Sequence, residues 1–206
     1  MYKVFFKDSC FLLTDEQNLL KEGTHQLLHE NFSDTKSFIC NLRKEKNKFT
    51  AVIYGEDVEE LFSIFKSCFL YVKAAGGAVQ QKNQLLVIKR LGVYDLPKGH
   101  QEPHETLEQC AVREVEEECG IQGIQITNHL TDTLHIYFRN GNWFLKKTYW
   151  YTMTSPENPA LTPQTEEDIE EVFWLATHEI NTIKTNTYPS LLEVFEKIQN
   201  NSESFL

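Results

Sequence analysis

The stretch that most constrains this chain is Thr106–Cys119, where Glu114, Glu116, Glu117 and Glu118 crowd a segment of otherwise helical pattern. Thr106 suits an N-cap, Gln109 three residues on completes a capping box, and Gly120 stands where a left-handed C-terminal cap falls. At about 100° per residue, Glu114, Glu117 and Glu118 share one arc while Glu116 points elsewhere. Leu107, Ala111 and Val115 form an adjacent apolar stripe, which predicts a helix buried along one side against a sheet. Three carboxylates on the edge of such a helix repel one another, and they sit at the unfavourable end of its dipole. The plain alternative is a solvated acidic face. The uneven distribution favours a cation held there instead, and hard oxygen donors select Mg2+ or Mn2+.

Composition narrows the function classes. The 206 residues carry 30 Asp+Glu against 20 Lys+Arg, a formal charge of −10, which argues against a nucleic-acid binder that relies on a basic footprint. With 41% hydrophobic and 12% aromatic residues the chain has material for a packed core. No stretch approaches the roughly 18 apolar residues of a membrane span. The segment Met1–Asp8 has neither an apolar core nor a small-residue cleavage site, so a secretory signal is not expected. Cys10, Cys40, Cys68, Cys110 and Cys119 are odd in number and form no Cys-x-x-Cys pair, which suits reduced thiols in a cytoplasmic protein.

The pattern divides the chain into residues 1–68, a small α+β domain without recognisable chemistry, and residues 69–206. In the first part, Val4–Phe6 and Phe11–Thr14 read as paired strands and His25–Glu30 as helix. Ser37–Leu42 and Phe49–Tyr54 read as strands, and Asp57–Phe69 as helix. His25 and His29, four apart, are expected to be solvated, because no third ligand is near. In the second part, Tyr71–Gln80 and Gln84–Arg90 read as strands joined at Lys82-Asn83, with Gly76-Gly77 marking a bulge or a close backbone approach. A loop is expected over Leu91–Glu105. Leu134–Phe138 and Trp143–Met153 flank an Asn-Gly turn, a short strand covers Val172–Leu175, and a final helix begins near Pro189. This order predicts helices packed on a mixed sheet.

The wider spacing reads Gly99-x5-Glu105-x7-Arg113-Glu114-Val115-x-Glu117-Glu118-x-Gly120-Ile121. Seven fixed residues and two apolar slots recur by chance on the order of 10⁻⁹ or less per starting position, from ordinary residue frequencies. The stretch Gly99–Ile121 resembles the Nudix box at every specified position. The resemblance implies an α/β fold, a Nudix-type α/β/α sandwich with a mixed sheet, here preceded by the small α+β domain. It also implies metal-dependent hydrolysis of a pyrophosphate bond in a nucleoside-diphosphate-linked substrate. By motif position, Glu114, Glu117 and Glu118 would hold the metal with the backbone of Gly99. Glu105 would be a supporting acid, and Arg113 would orient the carboxylates. Glu117 is the first choice of general base; in some family members the base comes from a later loop, where Glu166, Glu167 and Glu170 stand here.

Arg90, Lys89 and Lys98 flank the box as candidate phosphate contacts. Pro97-Lys98-Gly99-His100, and the later Lys146-Lys147-Thr148-Tyr149-Trp150-Tyr151, resemble the diadenosine polyphosphate hydrolase branch, and Tyr149, Trp150 or Tyr151 is a candidate to stack on a base. Core packing is the plainer reading of these aromatics. His100 and His104 read as loop histidines, and Cys110 and Cys119 as small buried apolar residues. Diphosphoinositol polyphosphates and nucleotide sugars stay open as substrates. The intact box favours an enzyme acting on a small phosphoanhydride over a ligand sensor. For residues 1–68, dimerisation into a homodimer or substrate selection are the roles left open.

Overall fold

The computed structural model describes residues 1–19, 25–28, 37, 39–44, 47–157 and 160–203. The chain forms two compact units, Met1–Tyr71 with Leu134–Lys146, and Val72–Thr133 with Lys147–Leu206. The division therefore differs from a single cut after residue 68: a segment in the middle of the chain belongs to the first unit.

In the first unit, strand β1 (Tyr2–Phe6) pairs antiparallel with β2 (Ser9–Thr14), from Tyr2↔Leu13 to Phe6↔Ser9. Strand β4 (Thr50–Tyr54) runs parallel to both β2 and β3 (His25–Leu28). Alternate residues of three of these strands, Val4, Phe6, Phe11, Leu13, Ala51 and Ile53, enter one core. Helix α1 (Val58–Lys66) adds Leu61 and Phe65 to it. Its N-terminus is capped by Asp57, whose Oδ1 accepts from the amides of Glu59 and Glu60 at 2.9 and 3.0 Å.

Two local expectations fail here. His25–Leu28 is a strand, not a helix, in register with β4 from His25↔Ala51 to Leu28↔Tyr54. Four residues carry too little periodicity to outweigh a ladder of backbone hydrogen bonds. The described residues of the Ser37–Leu42 segment are helical, not extended, with Asn41 Nδ2 donating to the Ser37 carbonyl at 3.0 Å. His29 lies outside the described residues.

In the second unit the strand order is β11 (Ile169–Ala176), β6 (Gln84–Arg90), β5 (Leu70–Gln81), β10 (Asn142–Thr154) and β9 (Gln125–Arg139). Strands β5 (Leu70–Gln81) and β6 (Gln84–Arg90) are joined at Lys82 and Asn83, both with positive φ, as a tight hairpin requires. The long β9 (Gln125–Arg139) and β10 (Asn142–Thr154) are joined the same way at Asn140-Gly141, and both run further than their apolar runs suggest. Their outer parts supply Leu134, Ile136 and Leu145 to the core of the first unit. Within the expected loop over residues 91–105 lie two short strands. Strand β7 (Val93–Asp95) pairs with β6, and β8 (Lys98–His100) with β5. Strand β11 (Ile169–Ala176) closes the edge, antiparallel to β6.

The run Leu85-Leu86-Val87-Ile88 shows why this sheet is apolar on both sides. Leu86 and Ile88 pack with Cys110, Ala111, Val115 and Cys119 of helix α2 (Leu107–Cys119). Leu85 and Val87 pack with Ile180 and Ile183 of the short helix α3 (Ile180–Ile183), and with Leu191, Val194 and Phe195 of α4 (Pro189–Glu203). A strand covered on both faces loses the alternation of a half-exposed one. The unit is the three-layer α/β/α sandwich that the sequence predicts.

Helix α2 starts with the full capping box: the Gln109 amide donates to Thr106 Oγ1 at 3.2 Å, and the Thr106 amide to Gln109 Oε1 at 2.8 Å. Replacing Thr106 with Ala is expected to cost about 1 kcal/mol. In a denaturant titration the midpoint should fall while the slope stays unchanged.

Candidate active site

The site is built where α2 meets β8. Gly99 of β8 lies so close to the helix that a Cβ there would overlap the carboxylate of Glu114. A second close approach explains Gly76-Gly77, since a Cβ on Gly76 would overlap the Pro97 carbonyl and the Lys98 side chain. These glycines are spacers between backbone and side chain rather than a bulge.

Arg113 is the hub. Its Nε and Nη2 donate to the two oxygens of Glu105 at 3.1 and 2.8 Å, a two-pronged pair. Nη1 donates to Glu114 at 2.8 Å and to Glu117 at 3.0 Å, and Nη2 also reaches the His100 carbonyl at 3.2 Å. The guanidinium beside Glu105 holds that carboxyl at about 2, well below its ordinary 4.5. Glu105 also accepts from the Glu102 amide at 2.8 Å, so it frames Arg113.

The three expected metal carboxylates have different surroundings. Glu114 is buried, and burial raises its pKa against the pull of Arg113. Glu117 is half exposed. Glu118 is 0% exposed, and burial pushes its carboxyl up to about 7. One of its oxygens, Oε2, accepts from the Lys98 amide at 2.8 Å, and the other, Oε1, is buried with no hydrogen-bond partner. The three do not converge on one point: among the described residues no group of three or more His, Cys, Asp or Glu is placed to hold a metal ion. Arg113 bridges Glu114 and Glu117, while Glu118 turns to the Lys98 amide. Glu116 lies outside the Arg113 network, as expected, and accepts from the amides of Gly123 and Ile124 at 2.7 and 3.3 Å.

A later loop is fastened to the end of α2. The Thr162 amide donates to the Cys119 carbonyl at 2.9 Å and the Gln164 amide to the Glu118 carbonyl at 3.2 Å. These bonds satisfy carbonyls that a helix end leaves unpaired. Gly120 makes room for them: its φ is +65°, and a Cβ there would lie 2.6 Å from Thr162 Cβ. The loop leads into the turn Thr165–Glu167. Of the three later-loop candidates, Glu167 lies near the site: its charge contributes to raising Glu114, and Arg90 Nη1 is 3.7 Å from its Oε2. Glu170 is turned to the Gly92 amide at 3.0 Å.

The expected substrate residues part company. Lys98 is not a free phosphate contact, because its Nζ lies 2.6 Å from Asp95 Oδ2 and its side chain is only 13% exposed. Tyr151 is not available to stack on a base. It is 5% exposed in the core beside α2, with its hydroxyl donating to Glu108 at 3.2 Å. Tyr149 is half-buried, with Lys147 Nζ 4.7 Å from its ring centroid. Trp150 faces the opposite layer and donates to Thr133 Oγ1 at 2.9 Å. Arg90 pairs with Glu167, and Lys89 with Glu171 at 2.9 Å. Cys110 and Cys119 are buried, and burial pushes both thiols up, Cys110 to about 12. A groove of about 720 Å³ runs along α2, lined by Arg113, Glu117, Val112, Glu116, Ile121 and Ile126 among others.

Sequence reasoning missed Asp95 and the docking residues Thr162 and Gln164. A carboxylate beside Leu96 and Pro97 with a lysine three residues on is the one signal that could have found Asp95.

A family model for the NUDIX domain matches residues 70–197. The chain is 32% identical over 111 residues to the NAD-capped RNA hydrolase NudC of Photobacterium profundum, a match covering 52% of this chain and 38% of that relative. The chain thus spans well under half of that relative's length. Among solved structures, a C. elegans Ap4A hydrolase binary complex is similar with a TM-score of 0.49 and 22% identity, covering 65% of this chain and 98% of that one. A bifunctional NMN adenylyltransferase/ADP ribose pyrophosphatase from Francisella tularensis, complexed with AMP and a Mn ion, is similar with a TM-score of 0.48 and 16% identity, covering 65% and 42%.

The depressed Glu105 carboxyl makes a pH prediction. The pair with Arg113 stabilises the fold above pH 4.5, and that contribution is lost as pH falls toward 2. In Arg113→Gln, an NMR titration should find Glu105 moved back toward its ordinary 4.5. An unmoved Glu105 would mean that other groups hold it down.

Proposed function

Since the chain belongs to the Nudix family, we propose that it hydrolyses a phosphoric anhydride bond in a nucleoside-diphosphate-linked substrate with the help of a divalent cation. The observation that carries this reading is the Glu118 carboxylate. A buried oxygen without a donor is costly, and a hard cation beside it would meet that cost. Near it stand the oxygens of Glu114 and the Gly99 backbone, which a missing Cβ brings against Glu114, and the Lys98 charge also acts on Glu118. This donor set fits Mg2+ or Mn2+, with Glu114, Glu117 and Glu118 as the residues that would hold it. A turn of the half-exposed Glu117 side chain toward Glu118 would complete the set.

When bound, such a cation supplies positive charge to the anhydride oxygens and makes a water easier to deprotonate. The chain's own residues do the rest. Glu105 holds Arg113 in one orientation, and Arg113 ties Glu114 and Glu117 to one donor nitrogen. Glu117, or Glu167 at the end of its fastened loop, accepts the proton of the attacking water. Arg90, paired with Glu167, is the cation assigned to the outer phosphates. The relative named as an NAD-capped RNA hydrolase supports a substrate with a nucleotide at one end. The motif Pro97-Lys98-Gly99-His100 keeps a diadenosine polyphosphate as a candidate.

The two carboxylates separate in experiment. Glu117→Gln is expected to weaken Mn2+ binding and lower kcat by at least about 10²-fold, whereas Glu167→Gln should lower kcat by about 10²-fold with Mn2+ affinity unchanged. The assay is turnover of a panel holding diadenosine polyphosphates, NAD-type dinucleotides, ADP-ribose, nucleotide sugars and diphosphoinositol phosphates. Full activity of Glu117→Gln, with unchanged metal dependence, would overturn the assignment.

A further inference from the structure

Asp95 belongs to none of the roles above, yet it is a buried carboxylate, 2% exposed, one strand away from the site. Each of its oxygens is used. Oδ1 accepts from the Leu96 amide at 2.8 Å, and Oδ2 meets Lys98 Nζ at 2.6 Å. Asp95 therefore grips the segment Leu96-Pro97-Lys98 at both ends. On the other side the same segment is held by β5, with Gly77 donating to the Pro97 carbonyl at 3.1 Å and Gly76 paired with Lys98. The backbone amide of Lys98 is thereby fixed, and it is this amide that binds Glu118 Oε2 at 2.8 Å and leaves Oε1 unpartnered.

We propose that the Asp95–Lys98 pair is a positioning device: it sets the backbone of Lys98 and Gly99 so that one oxygen of Glu118 is occupied and the other is presented to a divalent cation. The inference rests on the metal-dependent reading above. Lys98 is then a strut rather than a phosphate contact. Its charge neutralises Asp95, and the two together act on the cation through Glu118. A buried pair of this kind adds little net stability over a neutral replacement, so its value lies in the geometry it imposes.

The test is Mn2+ binding, measured by electron paramagnetic resonance, to the full chain and to Asp95→Asn, Lys98→Met and the double variant. Losing one member leaves the other buried and uncompensated, so a single variant that fails to fold is replaced by the double variant, which removes both charges. The expected result is Mn2+ affinity about tenfold weaker in every folded variant, the usual scale for a residue supporting a metal ligand. The double variant should be no worse than either single one, and kcat should fall with KM little changed. Unchanged Mn2+ affinity in the folded double variant overturns the proposal. So does a Lys98→Met variant that raises KM alone, because that is the signature of a direct phosphate contact. If the wild-type chain binds no Mn2+, the functional reading fails, and hydrogen exchange still decides the strut. Exchange at the Lys98 amide should be about tenfold faster in Asp95→Asn, a loss of about 1.4 kcal/mol of protection, and equal exchange rates overturn it.

Discussion

Like charges held close together set the terms for this molecule. Glu114, Glu117 and Glu118 share one edge of a helix, and two of them are buried. In a medium less polar than water such a cluster is stable only if every carboxylate has its own compensation. Arg113 serves Glu105, Glu114 and Glu117 at once, which only a planar group with several fixed donors can do. A lysine offers no such fork. Glu118, out of its reach, relies on a backbone amide, and that amide depends in turn on the Asp95–Lys98 pair. The site is thus a chain of supports running from the buried end of β7, through β8, to the inner face of α2.

The sandwich makes this chain possible. Helix α2 is pressed onto the sheet by Cys110, Ala111, Val115 and Cys119, and the same packing carries Glu114 and Glu118 inward. Small residues are needed at the contact. Cysteine and alanine on the helix, and glycine on β5 and β8, bring backbones close enough for an amide to meet a carboxylate. The layer on the other side, with Phe195 and Ile198 of α4, keeps the sheet dry and stiff behind the site.

Much of this was legible in the sequence because it is local. The capping box at Thr106, the left-handed Gly120, both hairpin turns and the arc of glutamates depend on residues close in the chain. The spacing from Gly99 to Ile121 carried the family and the framing role of Arg113. What was not legible depends on which side chains meet in the fold, some three residues apart and others far along the chain. Lys98 reads as a free cation until Asp95 is seen beneath it, and Tyr151 reads as a stacking surface until Glu108 and the core enclose it. Glu166, Glu167 and Glu170 cannot be ranked from spacing, because what separates them is the contact of one loop with a helix end. His25–Leu28 failed for the same reason: its partner strand is more than twenty residues away.

The fastening of Thr162 and Gln164 to the last carbonyls of α2 divides the β10–β11 connection into two parts of different evolutionary freedom. On the β10 side of Leu161, the described Ser155 and Pro156 are tied to Gln81 rather than to the carboxylates. Between Thr162 and Glu167 an insertion would displace Glu167 relative to Glu114 and Arg90. Length variation among relatives should therefore accumulate before the anchor point and be nearly absent after it. The last helical turn of the box and the first turn of the later loop then behave as one inherited piece, although more than forty residues separate them in the chain.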